Sequence, residues 1–530
     1  MNIGTCSTIA LSGLKAHLVT VQAFVSQGLP YFTMVGLPDS TVSQARERVR
    51  SACKSTYFHW PQTRVTVNLT PASLPKHGSS FDVSIAVSIF AATHSINPNL
   101  LNDAVFLGEL SLDGSILPVV GMLPLMQFAT QCQISRAYVP ASQLAEAQLV
   151  PGIKVIPVSH INELLRVLNA PPSLINEHFS VHYPASSTTP IEQFAAPMQE
   201  PSSSNADFND VIGQTDAKWQ LEIAAAGGHH VMLVGPPGVG KSMLAQRVPS
   251  ILPPLNDTQA TEVACIRSAQ GLPIAIPLSH TPPFASVQHN ATLSALAGGA
   301  NGNRIVAGAM TLAHRGVLFL DEAPEFKHTV LQSLRIPLET GSITLSRMKA
   351  NVVLPAQFML ILAQNPCPCG NLWNSTKICE CQPIELRRYN NRISQPIKDR
   401  IDIKINVPSL KTLDKPHCHN DSYSPFLGDH MTFDSKHMRD TVLQARKQAC
   451  RRFQSCPWST NAQAPGTWLM ENTPERLISH TNHLLESEEI SIRGAHKILR
   501  ISWTIADIFG RTQPTDDDLE CATRLYLPDI

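Results

Sequence analysis

Long hydrophobic runs are missing from this chain of 530 residues. A membrane-spanning helix needs about 18 to 20 consecutive apolar residues, and the longest apolar runs here, such as Phe358–Ala363, have only the length of a β-strand. The N-terminus lacks a basic region followed by an apolar stretch, so we expect no signal peptide and no membrane partner. The 12 cysteines are too sparse for a disulfide-stabilised scaffold, and we expect reduced thiols in a cytoplasmic protein.

Charge is also scarce. Only 15% of the residues are charged, and 41 Lys and Arg residues balance 41 Asp and Glu residues, so the formal net charge is zero. A neutral total offers no evidence for a nucleic-acid or membrane partner, and any such binding surface must be local. Hydrophobic residues make up 43% of the chain. This is enough for sizeable cores, and the length favours two to four domains.

Two irregular stretches predict the domain boundaries. Residues 171–206 contain six prolines and seven serines without sustained periodicity, which is typical of a linker. Before it, Arg64–Leu69 alternates as a strand does, and Asp82–Ala92 is apolar enough for a buried helix. After the second stretch, apolar residues recur at helical spacing. The predicted division is a domain over 1–170, a linker over 171–206, a domain over 207–408, a connector over 409–435 and a helical domain over 436–530.

A glycine-rich loop predicts a phosphate-binding site. It matches the pattern G-x-x-x-x-G-K-S, follows the apolar strand His230–Val234 and precedes a segment that can continue as a helix. The glycines let backbone N–H groups converge on phosphate oxygens, and the helix N-terminus adds positive potential. Lys241 would reach the β- and γ-phosphates of ATP, and Ser242 would bind Mg²⁺. The loop comprises Gly235, Pro236, Pro237, Gly238, Val239, Gly240, Lys241 and Ser242.

Two further strands end in polar side chains. The segment Gly316–Glu322 has four apolar residues followed by two carboxylates, of which Asp321 would hold Mg²⁺ through water and Glu322 would act as general base. An acidic pair alone could equally be a helix cap, but it follows the phosphate loop by about 80 residues. Phe358–Asn365 is a third strand, and Asn365 could orient the attacking water. The three motifs together predict ATP hydrolysis on a doubly wound parallel α/β sheet.

The sequence resembles the YifB/ComM family of magnesium-chelatase-like AAA+ ATPases. The similarity covers nearly the whole chain and rests on specific phrases in addition to the phosphate loop. They are Gly28–Pro38, Val67–Lys76, Asp210–Gln214, Leu221–His230, Leu312–Phe326, Leu338–Arg347 and Asn365–Gly370.

This resemblance implies an N-terminal α+β domain like Lon protease and ribosomal protein S5, a central AAA+ domain and a C-terminal helical lid. It also implies a ring, usually a hexamer, with ATP and Mg²⁺ bound between subunits. The ring would act on single-stranded or branched DNA, because the ComM branch is associated with branch migration during natural transformation. Arg400, within Asp399–Asp402, matches the arginine finger given to a neighbour's ATP, and Arg493 matches the sensor-2 arginine of the lid. By charge alone, both would be ordinary surface arginines.

The chain departs from the family pattern at a few positions. Ala285 and Gln288 stand where the family has Arg and His, and Ala307–Met310 replaces a Pro-Gly-Glu-Ile segment. We expect these changes in an insertion over 283–310 that faces the pore or substrate, away from the phosphates. ATP hydrolysis should therefore be retained, and DNA engagement is the activity that the changes put in question.

Ser80 matches the position of the nucleophile in Lon-type proteases. That nucleophile needs a base, which in the family is a lysine following the segment Gly108–Gly114, and residues 116–136 contain no lysine. We therefore expect a packing or oligomerisation domain, and no active protease.

Four cysteines form two C-x-C pairs, and four thiolates can bind a structural Zn²⁺ tetrahedrally. Because this spacing is tighter than the usual C-x-x-C, reduced thiols on a loop are an equal alternative. The pairs are Cys367 with Cys369 and Cys379 with Cys381.

Local basic clusters could touch a DNA backbone. A solvated face or a subunit contact would account for each of them equally well. The clusters are Arg387, Arg388, Arg392 and Lys398; Arg446, Lys447, Arg451 and Arg452; and Arg347 with Lys349 after a predicted hairpin at Ser342–Ser346.

The sequence thus predicts a cytoplasmic, ring-forming ATPase that couples hydrolysis to DNA remodelling. The alternatives are a metal-chelatase motor, an ATP-dependent protease, and a regulatory ATPase that acts on a protein partner.

Overall fold

A computed structural model describes most of the chain. The predicted cations Arg347 and Lys349 lie outside the described residues, as do Lys76 and the central parts of both irregular stretches, 180–205 and 410–432. The structure describes residues 2–36, 39–71, 80–179, 206–301, 304–346, 351–373, 377–409 and 433–527.

A seven-stranded mixed sheet forms the core of the N-terminal part. Its strand order is β3-β4-β2-β1-β5-β8-β9, with β1 antiparallel to β2 over its full length. The strands β6 and β7 form a separate small hairpin. The strands are β1 (Asn2–Ser12), β2 (Lys15–Ser26), β3 (Tyr31–Val35), β4 (Arg64–Thr70), β5 (Ala104–Phe106), β6 (Glu109–Leu110), β7 (Ile116–Leu117), β8 (Arg136–Pro140) and β9 (Lys154–Val158).

Helices cover this mixed sheet. All eleven residues of the second helix are buried, which explains why its sequence shows no polar face. A side chain at Gly4 on the first strand would collide with the carbonyl of Ser88, so glycine permits this close packing. The predicted strand at Arg64–Leu69 and helix at Asp82–Ala92 are confirmed. The helices are α1 (Asp39–Lys54), α2 (Asp82–Ala92), α3 (Met122–Gln131), α4 (Leu144–Ala147) and α5 (Ile161–Val167).

The central part contains a five-stranded parallel sheet. The strand order β11-β14-β17-β10-β18 places the strand before the phosphate loop between two others, and all neighbours run parallel. The strand residues are almost entirely buried, as expected for a parallel sheet covered on both faces. Its strands are β10 (Val231–Val234), β11 (Phe284–Val287), β14 (Val317–Leu320), β17 (Met359–Gln364) and β18 (Ile403–Asn406).

Two antiparallel hairpins and nine helices accompany the parallel sheet within the described central residues. The hairpin predicted at Ser342–Ser346 is confirmed. The hairpins are β12 (Gly298–Asn301) with β13 (Arg304–Ala307), and β15 (Ser342–Ser346) with β16 (Asn351–Pro355). The helices are α6 (Thr215–Gly227), α7 (Lys241–Ile251), α8 (Asp257–Gln270), α9 (Leu293–Ala297), α10 (Ala309–Leu312), α11 (His328–Gln332), α12 (Arg335–Thr340), α13 (Pro383–Asn391) and α14 (Gln395–Lys398).

The C-terminal part is helical, as predicted. Its apolar residues share one core with α6, α7 and residues from all five strands of the parallel sheet, so it packs directly on the central part. Arg452 forms a bidentate ion pair with the buried Asp507 at 2.6 and 2.7 Å and lies over the ring of Trp503. The helices are α15 (Ser435–Arg452), α16 (Gly466–Asn472), α17 (Glu475–Glu486), α18 (Ile492–Ile508) and α19 (Asp516–Tyr526).

Within the described residues, the N-terminal part contacts the central part at two places. Ser268, near the end of α8, donates to Glu146 at 2.6 Å and accepts from the backbone N–H of Leu123 at 3.2 Å. The turn between β1 and β2 forms the second contact, because Leu14 packs with apolar residues of both hairpins. The expected α/β class, with a parallel sheet and a helical C-terminal part, is confirmed. None of the helices in the described ranges combines the length and apolar character that crossing a bilayer requires.

Candidate active site

One cleft collects the polar ends of three parallel strands. The carboxyl ends of parallel strands meet at one edge of a sheet, and ligands of open α/β sheets bind there. The strands β10, β14 and β17 are neighbours, so the segments that follow them converge. The resulting cleft measures about 340 Å³. It is lined by Pro237, Gly238, Gly240, Lys241, Ser242, Met243, Asp321, Glu322, Gln364 and Asn365.

The phosphate loop connects β10 to the N-terminus of α7. Gly240 precedes this helix with φ +95°, a left-handed conformation that favours glycine. An added Cβ at Gly238 or Gly240 would meet nothing within 4 Å, so the backbone here faces open space. The free N–H groups at the start of the eleven-residue helix therefore border the cleft, which suits an anion such as phosphate.

Lys241 lies at the floor of the cleft. Its Nζ donates to the carbonyl oxygens of Gly235 at 2.6 Å and Pro236 at 2.9 Å, and to Oδ1 of Asn365 at 3.0 Å. The structure thus brings together the lysine and the asparagine predicted from separate motifs. Burial lowers the pKa of Lys241 to about 8, although nearby carboxylates oppose this shift. A phosphate group would restore the favourable environment for the charged amine.

Ser242 and Asp321 are in direct contact. The Ser242 hydroxyl donates to Oδ2 of Asp321 at 2.8 Å. Hydroxyl and carboxylate oxygens, with phosphate and water oxygens beside them, form the set of ligands that Mg²⁺ prefers. These two side chains therefore fit a magnesium ion that is bound together with a nucleotide.

Glu322 lies beside Asp321 with an unusual backbone. Its φ is +52°, and its N–H donates to Oδ1 of Asp321 at 2.9 Å. Its Oε2 lies 2.9 Å from Nδ1 of His289, and both side chains are about half exposed. The carboxylate therefore reaches the cleft while an imidazole holds one of its oxygens.

The contact of His289 corrects the expectation for the segment 283–310. We expected an insertion that faces the pore or substrate, away from the phosphates, but part of the segment lies in the core sheet and His289 contacts Glu322 of the cleft. Phe284–Val287 is strand β11 at the edge of the parallel sheet, and Ala285 is buried in the core of the sheet. An arginine at this position would need room that the core does not offer. His289 was missed as a site residue because its partner Glu322 lies 33 positions further along the chain.

Gln364 is a second residue that motif analysis missed. It ends β17, lines the cleft next to Asn365, and its buried Oε1 has no hydrogen-bond partner among the described residues. A buried polar atom that faces a cleft is available to a ligand or to water. Its position directly before Asn365 is the signal that could have identified it.

The structure places the two predicted arginines away from this cleft. Arg400 pairs with Glu339 of the same chain and donates to the carbonyl oxygen of Pro396. Arg493 is exposed in the first turn of α18. Neither side chain belongs to the residues that line the cleft, so each would need a neighbouring subunit or a movement of the lid to reach the same nucleotide.

A buried ionic network anchors the segment that carries Arg400. Asp402 accepts hydrogen bonds from the backbone N–H of His230 at 3.2 Å and from Nδ1 of His229 at 3.4 Å, and Lys497 of α18 lies 3.5 Å away. Burial alone would raise the pKa of Asp402, but the hydrogen bond from His229 and the charge of Lys497 lower it overall. The network therefore joins the sheet, the Arg400 segment and the helical part.

The four predicted cysteines come together as one cluster, which we call the cysteine knuckle. Its members are Cys367, Cys369, Cys379 and Cys381, and all four sulfur atoms lie within 4.8 Å of one another. The first three are separated by 3.3, 3.7 and 3.8 Å. Thiolates at about 2.3 Å from a tetrahedral Zn²⁺ would be about 3.8 Å apart. The donor set fits zinc.

In the N-terminal part, Ser80 is half-buried just before α2. The stretch 116–136, which would have to supply a base, contains β7 and α3 and no lysine. A charged pair near the start of α2 is internally satisfied, since Arg48 donates to Asp82 at 2.6 and 3.3 Å.

The basic clusters divide into engaged and exposed side chains. Arg446 donates to the carbonyl oxygen of Ala225 at 2.8 Å, and Arg452 is paired with Asp507. Arg392 pairs with Glu325 at 2.6 Å, and Lys398 donates to the carbonyl oxygen of Asn390 at 2.5 Å. The exposed members of the same clusters are Arg387, Arg388, Lys447 and Arg451.

Three family models match the chain along most of its length. The model for magnesium chelatase, subunit ChlI, matches residues 207–415. A second model for subunit ChlI of Mg-chelatase matches residues 21–143. The model for the C-terminal part of magnesium chelatase subunit ChlI matches residues 432–525.

Similar full-length proteins occur in distant bacteria. Rv2897c of Mycobacterium tuberculosis, described as an uncharacterized protein, is 37% identical over 98% of both chains. Competence protein ComM of Haemophilus influenzae is 34% identical over 97% of this chain and 95% of its own. The uncharacterized protein YifB of Escherichia coli is 34% identical over 96% of this chain and 94% of its own.

A shorter similarity concerns the N-terminal region, which is Lon-like. Lon protease 2 of Bacillus subtilis is 31% identical over 105 residues, or 19% of each chain. The family of magnesium chelatases is AAA+ ATPase-like, in agreement with the parallel sheet and the cleft. With relatives that match nearly the whole of both chains and with family models that match 21–143, 207–415 and 432–525, the chain belongs to the YifB/ComM family of magnesium-chelatase-like proteins.

Proposed function

We propose that this protein hydrolyses ATP in the cleft and uses the energy to remodel DNA. The observation that carries the proposal is the convergence of Lys241, the Ser242–Asp321 pair, Glu322 and Asn365 from three separate strands. A cation, a magnesium-binding oxygen pair, a carboxylate and an amide within one cleft are the groups that phosphoryl transfer from a nucleotide requires.

Each residue has a distinct role in this proposal. Lys241 and the N–H groups of the phosphate loop bind the β- and γ-phosphates. Ser242 and Asp321 hold Mg²⁺, which supplies positive charge to the phosphate oxygens when it is bound. Glu322 accepts a proton from the attacking water, and Asn365 orients that water. The water proton moves to the carboxylate as the new P–O bond forms and the bond to ADP breaks.

We further propose a ring of six subunits, in which Arg400 serves the ATP of the adjoining subunit. Support comes from its position outside the cleft of its own chain, with its largely covered guanidinium paired with the more exposed Glu339. A fixed cation on the transferred phosphoryl group stabilises the charge that develops there. Arg493, on the first turn of the lid helix, would close over the nucleotide in the same subunit.

DNA as the substrate is supported by the relatives and by local charge. One relative that spans the whole chain is named competence protein ComM, and branch migration during DNA uptake or recombination fits that name. Among the residues that the structure describes, Arg387 and Arg388 on α13 and Lys447 and Arg451 on α15 remain exposed for phosphate contacts.

We also propose that the cysteine knuckle holds a structural zinc ion. The sulfur separations are close to those of a tetrahedral site, and a closed site with four sulfur ligands leaves no position for a substrate. Metal analysis of the purified protein tests this point. A value near one zinc per chain is expected, and less than about one-tenth would reject it.

The test of the proposed function is the rate of ATP hydrolysis with and without forked DNA, for the wild type and for Lys241→Ala. We expect hydrolysis that DNA stimulates and that the substitution abolishes, together with DNA binding that weakens as salt rises. Hydrolysis that is indifferent to DNA would contradict the DNA assignment and favour a regulatory ATPase that acts on a protein partner. A wild type without any hydrolysis would contradict the whole proposal.

A further inference from the structure

The cysteine knuckle lies directly beside the catalytic asparagine of the proposed site. Only Pro366 separates Asn365 from Cys367, whose side chain is fully buried. Asn365 itself is in contact with Lys241 through its Oδ1. A shift of the Cys367 backbone would therefore be transmitted to Asn365 over a link of one residue.

The knuckle also rests on the phosphate loop. Gly370, which follows Cys369, has φ +76° and makes a turn closed by a hydrogen bond from its N–H to the carbonyl of Cys367 at 3.0 Å. A Cβ at Gly370 would lie 2.8 Å from Cδ and 3.0 Å from Cγ of Pro237. Such a contact is closer than atoms in proteins tolerate, so the two backbones are packed together and only glycine fits between them.

A third contact with Asn365 comes from helix α13, which follows the knuckle in the chain. Helix α13 begins two residues after Cys381, with Gln382 capping its first turn. From this helix the buried Tyr389 lies close to the backbone N–H of Asn365; burial raises the pKa of Tyr389 to about 12 overall, although that N–H favours the ionised phenol. The four thiols therefore join the described stretch 365–373, which carries the asparagine, to the described stretch 377–389, which carries helix α13.

We propose that a metal ion in the knuckle positions Asn365, so that zinc occupancy controls the rate of ATP hydrolysis. This inference rests on the proposed ATPase function. Zinc would bind four thiolates, release their protons and change no oxidation state. Without the metal, weak S–H contacts stand in place of the metal–sulfur bonds between the two stretches, and their conformational freedom increases. The amide would then no longer hold the attacking water in line with the phosphate.

The effect should fall on the chemical step more than on binding. Lys241 has contacts with Gly235 and Pro236, and Ser242 has its contact with Asp321, and no cysteine of the knuckle takes part in these contacts. A displacement of about 1 Å in a positioning group can reduce a rate by about 100-fold. We therefore expect kcat to fall by about 10- to 100-fold without zinc, while the Kd of a non-hydrolysable ATP analogue changes by less than about threefold.

The first experiment compares the full-length double variant C379S/C381S with the control C132S/C450S. The control removes two exposed cysteines that lie outside the knuckle. Zinc content, kcat and analogue Kd are measured for both. The knuckle variant should lose zinc and kcat together and keep its affinity, and the control should match the wild type. An unchanged kcat in the zinc-free variant would overturn the inference.

A second measurement covers the case in which the knuckle variant does not fold. The wild type is treated with a zinc-selective chelator in excess Mg²⁺ and then given zinc again. We expect kcat to fall and recover in proportion to bound zinc. If the protein keeps full ATPase activity after complete removal of zinc, this inference is wrong. The proposed ATPase function would then still stand. Absence of hydrolysis in zinc-loaded wild type would instead sink the proposed function.

A double-mutant comparison separates positioning from general damage. Asn365→Ala should lower kcat, and adding C379S/C381S to it should cause little further loss, because residues that act through one another are not additive. Losses that multiply in the triple variant would show that the knuckle does not act through Asn365, and would overturn the inference.

Discussion

The mixed sheet of the N-terminal part and the parallel sheet of the central part place their polar side chains in opposite ways. In the N-terminal part, Asp82 receives two hydrogen bonds from Arg48, and the ring of His160 is held by the carbonyl of Asp113 and the N–H of Asn162. These groups satisfy one another and stabilise the fold. In the central part, Glu322 is half exposed and Gln364 keeps an unpartnered oxygen in the cleft among the described residues.

Strand direction explains much of this difference. In the parallel sheet the carboxyl ends of β10, β14 and β17 meet at one edge. The polar groups that follow these strands therefore come together and remain accessible to a ligand. In the mixed sheet β2 runs against both β1 and β4, so the ends of these three neighbouring strands alternate between two edges, while the other neighbours run parallel. Relatives of the N-terminal region are proteases, but the groups described there perform structural tasks. The comparison indicates that a reactive site forms where polar groups without internal partners come together. Similarity to an enzyme family is a weaker guide to its location.

The largest expected effect contrasts the two parts directly. Lys241→Ala removes the charge that binds phosphate in both the bound state and the transition state, and we expect kcat/KM for ATP to fall by at least about 10⁴-fold. The matched change in the N-terminal part, Ser80→Ala, should leave this value unchanged within about twofold. Steady-state ATPase assays of both variants measure it. A comparable loss in Ser80→Ala would remove the contrast.

Arg400→Ala should have the next largest effect, a loss of about 10³-fold in kcat. Because the proposed finger acts on a neighbour's ATP, mixing Arg400→Ala with Glu322→Gln should restore part of the activity that neither variant has alone. The exposed Arg439→Ala is the control and should keep its ATPase rate. No recovery in mixed rings of confirmed composition would contradict action between subunits.

Glu322→Gln tests the carboxylate within the cleft. The amide cannot accept the water proton, so kcat should fall by about 10²- to 10³-fold. Nucleotide affinity should persist, since Lys241 and the Ser242–Asp321 pair are untouched. Rapid-quench kinetics and analogue binding separate the two quantities. Loss of binding equal to the loss of rate would show that Glu322 supports the architecture of the site instead.

The pH dependence of ATP binding is a smaller effect. The pKa of Lys241 is lowered to about 8, so the amine is charged at pH 7 and loses its proton as pH rises through 8 to 9. Because phosphate binds the charged form, the Kd of an ATP analogue should weaken by up to about 10-fold between pH 7 and pH 9. Isothermal titration across this range measures the change. A Kd that strengthens with pH would show that another group governs binding.

The smallest expected effect concerns the contact between the N-terminal part and the central part. Ser268→Ala removes the hydrogen bonds to Glu146 and Leu123, which should lower the free energy of unfolding by about 1 to 2 kcal/mol without changing kcat. The exposed Ser459→Ala is the matched control. Denaturant titration with probes in each part would detect the change. A fall in kcat would indicate that the N-terminal part also adjusts the cleft.

Much of the candidate site could be predicted because its motifs are local. The phosphate loop, Asp321 with Glu322, and Asn365 each follow an apolar strand, and short patterns of this kind require only neighbouring residues. His289 could not be found in this way, because its contact with Glu322 depends on β11 lying beside β14. The same holds for Arg446 and Arg452, whose positive charges belong to internal contacts and not to a DNA surface.

The sequence by itself determined the strands, the helices, the phosphate-binding chemistry and the family, because backbone preferences and ligand chemistry act over a few adjacent residues. Only the tertiary structure decided which of the polar groups remain available. It paired Arg400 with Glu339, buried Asp402 in a network of three segments, and laid Gly370 on Pro237. These outcomes depend on strand order and close packing between distant segments, and a contact at van der Waals distance leaves no trace in local sequence pattern.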